Sequence, residues 1–180
     1  MTKEEKLKIF EEELNLITNE ELKMVVKNFL IEQVPEYFWI VPASSSGKYH
    51  PNFTLGENGL VRHTKMVIAV ALELRQLNMF DTTGVIIDDI VVACLLHDTF
   101  KKGIKDCGHT STVHADIAAA QWEAYAVDKL KPIYREDIYR GIKTHMGQWS
   151  AEKQPSDDFE KLIHLADFIA SRKFFDKFNN

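Results

Sequence analysis

The residues best suited to chemistry are histidines and aspartates at the edges of apolar runs. His97 and Asp98 are adjacent and close the run IVVACLL; His63 lies near the start of one predicted helix and His114 near the start of another; His145 ends a short one; Asp167 lies inside LIHLADFIASR. Imidazole and carboxylate groups suit divalent transition metals such as Mn, Fe, Co or Zn. A bare His-Asp pair says little. A carboxylate at the end of a buried apolar helix says more, because burying an uncompensated charge is costly and a metal ion compensates it.

Helices must carry these groups. Leu7, Phe10, Leu14 and Leu16 predict a first amphipathic helix, and Thr18 or Asn19 can cap a second over about 20–33, with Leu22, Val25, Val26, Phe29 and Leu30 on one face. Pro35 stops it, and residues 35–59, rich in proline, glycine and serine, read as an irregular segment of the kind that is often functional. Further helices are predicted over 60–77, 88–97, 113–131, 135–145 and 157–178, with a break at 81–84 and polar loops at 101–112 and 147–156. No sustained two-residue alternation, internal repeat or low-complexity tract occurs, so the expected fold is all-α. Residues 1–34 form N-terminal helices packing on a domain that spans 35–180.

Composition narrows the partners. The 180 residues, 45% of them hydrophobic, suffice for one domain with a buried core. The formal net charge of -5 argues against a broad face for long duplex nucleic acid, while leaving room for a small anionic substrate. Cys94 sits in an apolar run and Cys107 in a polar loop; neither belongs to a C-x-x-C pair, which fits a reducing compartment. The charged N-terminus lacks the apolar core of a signal peptide, and the apolar runs are too short to span a bilayer. A cytoplasmic location is therefore expected, the host cytoplasm if the chain is viral.

The segments RHT (62–64), LLHDTFK (95–101) and LADFIASR (165–172) resemble the HD superfamily of metal-dependent phosphohydrolases, whose order is His, then His-Asp, then a distant Asp, each on a different helix. The resemblance extends over about residues 42–172. PASSSGKYHP leading into GLVRHT is similar to the HD domain of bacterial 3'-to-5' exoribonucleases, and THMGQW followed by KLIHLADFIASR looks like the C-terminal half of bacterial HD-domain diadenosine tetraphosphatases. The resemblance implies an HD-type helical bundle with an N-terminal helical extension and a metal held by His63, His97, Asp98 and Asp167. Two-metal members add two histidines, in places that His114 and His145 occupy here, and Asp98 then bridges. Both histidines lie at helix ends bordering loops, which agrees. The expectation is two divalent ions per chain and hydrolysis of a phosphoester or phosphoanhydride bond in a nucleotide-like substrate by a metal-activated hydroxide. Alternatives are a non-catalytic nucleotide-binding or regulatory module, and a 3'-to-5' exonuclease or phosphodiesterase on short nucleic acid. Association with a partner or a second copy through the N-terminal helices stays open.

Further residues have two readings each. Lys101 completes the His-Asp-x-x-Lys form and can neutralise a phosphate oxygen, with Lys102 as a substitute. Arg172, just over one turn beyond Asp167, can face the same cleft and bind phosphate, or pair with an acid. SSSGK at 44–48 lacks the frame of a phosphate loop. It reads as a lid from which Lys48 or Tyr49 reaches substrate, or as plain surface. His109 competes with His114 as a ligand and reads better as a substrate contact or loop residue; His50 is a substrate contact or a loop residue. His164 reads as surface or as a support for a ligand. Trp149 is packing or a stacking surface for a base. Met66, Met79, Phe174, Phe175 and Phe178 read as core or as a surface for a partner helix.

Overall fold

The computed structural model describes residues 1–81, 86–150 and 154–178, and among them all regular structure is helical. The helices are α1 (Lys3–Ile9), α2 (Glu11–Asn15), α3 (Glu20–Glu32), α4 (Gly59–Leu74), α5 (Ile87–Leu96), α6 (His114–Ala126), α7 (Glu136–Thr144) and α8 (Asp158–Ala170), with short 3-10 turns between them. The all-α expectation holds. None of these helices is long and apolar enough to cross a membrane. The predicted break at 81–84 lies mostly outside the described residues.

Local signals explain most helix starts. Thr2 and Glu5 form a reciprocal cap on α1, the Asn19 side chain accepts from the Leu22 amide at the start of α3, and the Asp157 carboxylate accepts from the Glu160 amide at the start of α8. In α3 the buried residues are Leu22, Val25, Val26, Phe29 and Leu30, the predicted stripe.

Several predicted ends move. The first helix is two, because the chain turns at Phe10; Phe10, Leu14 and Ile17 then share the buried side, and Leu16 is exposed. Positions 14 and 16 cannot both lie on one helical face, since two residues turn the helix by about 200°. The last helix ends at Ala170 instead of running to 178. Ser171 leaves helical geometry, a 3-10 turn spans Lys173–Phe178, and the Asp176 carboxylate accepts from the Asn52 amide, 2.8 Å. Met79 and Phe174 are exposed, so neither belongs to the core, whereas Met66 packs against it.

α5 is the axis of the bundle. Every residue from Asp88 to Leu96 is buried. α4, α7 and α8 pack on it, α4 also packs on α8, and α6 packs on α7. Gly141 permits the approach of α7, because a Cβ there would lie 2.9 Å from the Phe159 ring and 3.0 Å from the Ala93 methyl. The N-terminal helices are fastened through Asp88, whose carboxylate accepts from the amides of Thr18 (3.0 Å) and Asn19 (2.8 Å). Phe29 of α3 meets Trp122 of α6 edge-on at 5.6 Å.

Asp88 is satisfied, but its neighbour is not. Asp89 is buried, its Oδ1 has no hydrogen-bond partner, and burial, with the charges of Asp137 and Asp88, pushes its carboxyl up to about 7. The folded state therefore holds a proton that the unfolded state releases near pH 4, so this group lowers stability progressively as pH rises from about 4 to about 7. Asp89→Asn is expected to raise Tm by about 2–4 °C at pH 8, for about 1 kcal/mol, and to leave it nearly unchanged at pH 4. Thermal melts of both proteins across that range check the sign.

Candidate metal centre

Five helices and the residues at their ends bring side chains to one place. His63 comes from α4, His97 and Asp98 follow the last residue of α5, His114 opens α6, His145 follows α7, and Asp167 lies in the last turn of α8. His63, His97, Asp98, His114 and His145 are all buried, and Asp167 is half-buried.

Three of the histidines have their tautomer set by the backbone. His97 Nδ1 lies 2.6 Å from the Cys94 carbonyl oxygen, His145 Nδ1 2.7 Å from that of Ile142, and His114 Nδ1 2.7 Å from that of Ser111. A carbonyl only accepts, so each Nδ1 must carry the proton and donate it. For His97 and His145 the acceptor is a carbonyl of the helix's last turns, where partners run short. The consequence is that all three Nε2 lone pairs are free, and they converge on Asp98.

Asp98 faces two ways. Its Oδ1 lies 3.0 Å from His114 Nε2 and 3.8 Å from His145 Nε2. Its Oδ2 lies 3.4 Å from His97 Nε2, 3.7 Å from His63 Nε2 and 2.5 Å from Lys101 Nζ. Asp167 Oδ1 completes the second side, 3.0 Å from His63 Nε2 and 3.9 Å from His97 Nε2.

The protonation states agree with a ligand set. Burial alone would raise the Asp98 carboxyl, but the nearby Lys101 and His97 outweigh it and hold it well below the usual range. Asp167 is likewise held low, chiefly by His63 against its own burial. Burial pushes His63 down, and it pushes His145 down to about 3, helped by the neighbouring charges of His97 and His114. His97 is held up, because Asp98 and Asp167 overcome the effect of its burial.

Buried polar atoms without partners are the test of whether these residues fit a cation. His63 Nδ1 and Nε2 and His97 Nε2 have no hydrogen bond, although His63 Nε2 is close to Asp167 Oδ1, because the alignment is wrong for one. His114 Nε2 and His145 Nε2 lie 3.2 Å apart, with both Nδ1 protons committed elsewhere. Two facing lone pairs at that distance repel unless a proton or a cation lies between or beside them. Two groups could each hold a metal ion, His63–His97–Asp98 and Asp98–His114–His145, with ligand atoms within 4.8 Å of one another in each. Short donor distances, unused lone pairs and ionised carboxylates are what divalent ions of the Mn, Fe, Co and Zn group bind.

No family model, curated protein or solved structure matches this chain. The geometry has to carry the reading by itself.

A cavity of about 530 Å³ opens onto the cluster. Asp98, His114 and Asp167 reach its wall, as do Lys101, Arg172, Tyr49, His50 and Trp149. Lys48 is exposed and leans over the Tyr49 ring, with its Nζ 4.9 Å from the centroid, without lining the cavity. His109 is exposed as well, with its Nδ1 against the Cys107 carbonyl, and also lies off the wall. Lys102 turns to Asp106. Arg172 lies beyond the end of α8, not on the helix as its spacing implied, yet still reaches the cavity.

Supports surround the donors. The Ser171 hydroxyl sits 3.3 Å from both Asp167 Oδ1 and His50 Nε2. The Tyr37 hydroxyl donates to the Gly103 carbonyl and accepts from the Lys102 amide, which fixes the loop carrying Lys101. His164 Nδ1 donates to the His145 carbonyl at 2.7 Å, so it supports a ligand's backbone. Gly147, at φ +50, lets that turn close over His164; a Cβ there would come within 2.3 Å of the imidazole. Sequence reasoning missed Phe168, which lines the cavity between Asp167 and Arg172. Its signal was the i, i+4 spacing from Phe168 to Arg172, which lets a cation lie over a ring.

Elemental analysis after loading with Mn should find two ions per chain in the unaltered protein, one in His145→Ala and none in Asp98→Ala. Loading should also raise Tm, because an ion that binds only the folded state stabilises it.

Proposed function

We propose that this chain is a metal-dependent phosphohydrolase of the HD type, acting on a small phosphorylated, nucleotide-like substrate. The observation that carries the reading is Asp98, whose two oxygens face two separate histidine pairs at the floor of one cavity. A carboxylate so placed could serve both histidine groups as a shared ligand. Divalent ions bound there supply Lewis-acid charge for phosphoryl oxygens and lower the pKa of water.

The chain's own groups do the rest. His63, His97 and Asp167 would hold an ion on one side and His114 and His145 on the other, with tautomers at His97, His114 and His145 set before substrate arrives. Pre-set donors need no reorganisation during reaction, which is the source of their advantage. Lys101 Nζ already lies against Asp98 in the cavity wall, so it is placed to donate to a phosphoryl oxygen as negative charge develops. The cavity volume suits a small ligand, and the net charge of -5 disfavours long duplex nucleic acid.

The test is a Mn-supplemented screen of four substrate classes: a dinucleoside polyphosphate, a deoxynucleotide, a cyclic nucleotide and a short RNA 3' end. The unaltered protein should turn over at least one. Asp98→Ala should lose about 10³-fold or more with an unchanged far-UV circular dichroism spectrum, and Lys101→Ala about 10²-fold with its metal retained. Full activity in Asp98→Ala would end the proposal; binding without turnover across the screen would replace it with a nucleotide-binding module.

A further inference from the structure

The cavity has a second region that the metal donors do not account for. Tyr49, Trp149 and Phe168 line it together with Arg172. The Trp149 and Phe168 rings are within 15° of parallel, with centroids 5.6 Å apart. The Arg172 guanidinium carbon lies 3.7 Å from the Phe168 centroid and 5.6 Å from those of both Tyr49 and Trp149.

Two features of this region call for a ligand. Among the described residues no carboxylate lies within ion-pair range of Arg172, and its Nε is buried without a hydrogen-bond partner. Stacking uses the face of a guanidinium and leaves its edge donors free, so Phe168 fixes the cation without neutralising it. Lys101, by contrast, is already committed to Asp98. The second feature is Trp149, which is 51% exposed, whereas Trp39 and Trp122 are fully buried. A half-covered indole beside a fixed, unpaired cation complements a flat aromatic group attached to an anion.

Resting on the phosphohydrolase reading, we infer that the cavity binds a nucleoside carrying at least two phosphates. The base stacks on Trp149, one phosphate is clamped by Arg172, and another reaches Lys101 and the Asp98 cluster. Arg172 is then a binding residue for a phosphate distinct from the one that reacts. Lys101 and Arg172 divide the substrate's charge between them, and Trp149 sets the preference for a base.

The experiment uses metal-loaded protein and a hydrolysis-resistant probe, α,β-methylene adenosine diphosphate, titrated by calorimetry and by tryptophan emission. Because the other two tryptophans are fully buried, quenching reports on Trp149. Adenosine monophosphate lacks the second phosphate, and methylenediphosphonate lacks the base. The probe is expected to bind about 10-fold or more tightly than either, with quenching. Trp149→Ala should lose the quenching and the advantage over methylenediphosphonate, and Trp149→Phe should recover most of that advantage. Arg172→Gln should lose the advantage over the monophosphate while keeping the advantage due to the base. Equal binding of the probe and methylenediphosphonate, or of the probe and the monophosphate, would overturn the inference. So would a Trp149→Ala protein that binds like the parent. Metal content and turnover, measured on the same samples, separate the two readings. Turnover without discrimination sinks the subsite alone. Quenching and discrimination in a protein that takes up no metal sinks the hydrolase alone.

Discussion

Asp98 is a carboxylate in an unfavourable place, and the surrounding structure is organised to hold it there. It is 2% exposed and follows the C-terminal end of α5, where the helix dipole presents partial negative charge. Neither water nor the helix favours its ionised form. What keeps it ionised is local: the Lys101 ammonium and, in the proposed state, cations. His63, His114, His145 and Asp167 come from four other helices or their ends, so the bundle must bring those elements together. Gly141, which lets α7 close on α5, and Asp88, which fastens the N-terminal helices to the opposite end of α5, both serve that convergence.

The same constraint accounts for the histidine tautomers. A helix whose last turn is buried cannot hydrate its final carbonyls, so they need donors from the chain. His97 and His145 supply Nδ1–H to carbonyls three residues earlier, and in doing so direct their Nε2 lone pairs into the cluster. One contact thus serves folding and site assembly together. His164 extends the pattern outward by holding the His145 carbonyl.

Much of this was legible in the sequence where a residue's role follows from local pattern. The stripe on α3, the buried run of α5 and the Asn19 cap depend on spacing and side-chain chemistry alone, and all three recur in the fold. The six candidate donors stood out as histidines and aspartates beside apolar runs and at helix ends, and the resemblance to the HD superfamily grouped them as one ligand set; the structure does bring them together. Helix ends were less legible. The early end of α8 comes with long-range contacts, Asn52 with Asp176 and His50 with Ser171, which no local window contains. Lys48 and His109 were drawn to the site by residue type, but the loops that carry them point elsewhere. Phe168 was overlooked because an aromatic residue in an apolar stripe reads as core, and only the cavity on its flank distinguishes it.

The facing lone pairs of His114 and His145 link stability to occupancy. With both Nδ1 protons donated to the backbone, the 3.2 Å approach of the two Nε2 atoms is unfavourable in a dry interior, where charges and dipoles are poorly screened. Moving the rings apart would break the hydrogen bonds to Ser111 and Ile142, which close the ends of two helices. Protonating His145 is opposed by its burial. A cation that accepts both lone pairs would relieve the contact. A fold that retains this arrangement has given up stability in the metal-free chain for donors that are already aimed, and the compensation comes from the packed apolar length of α5 and the helices around it.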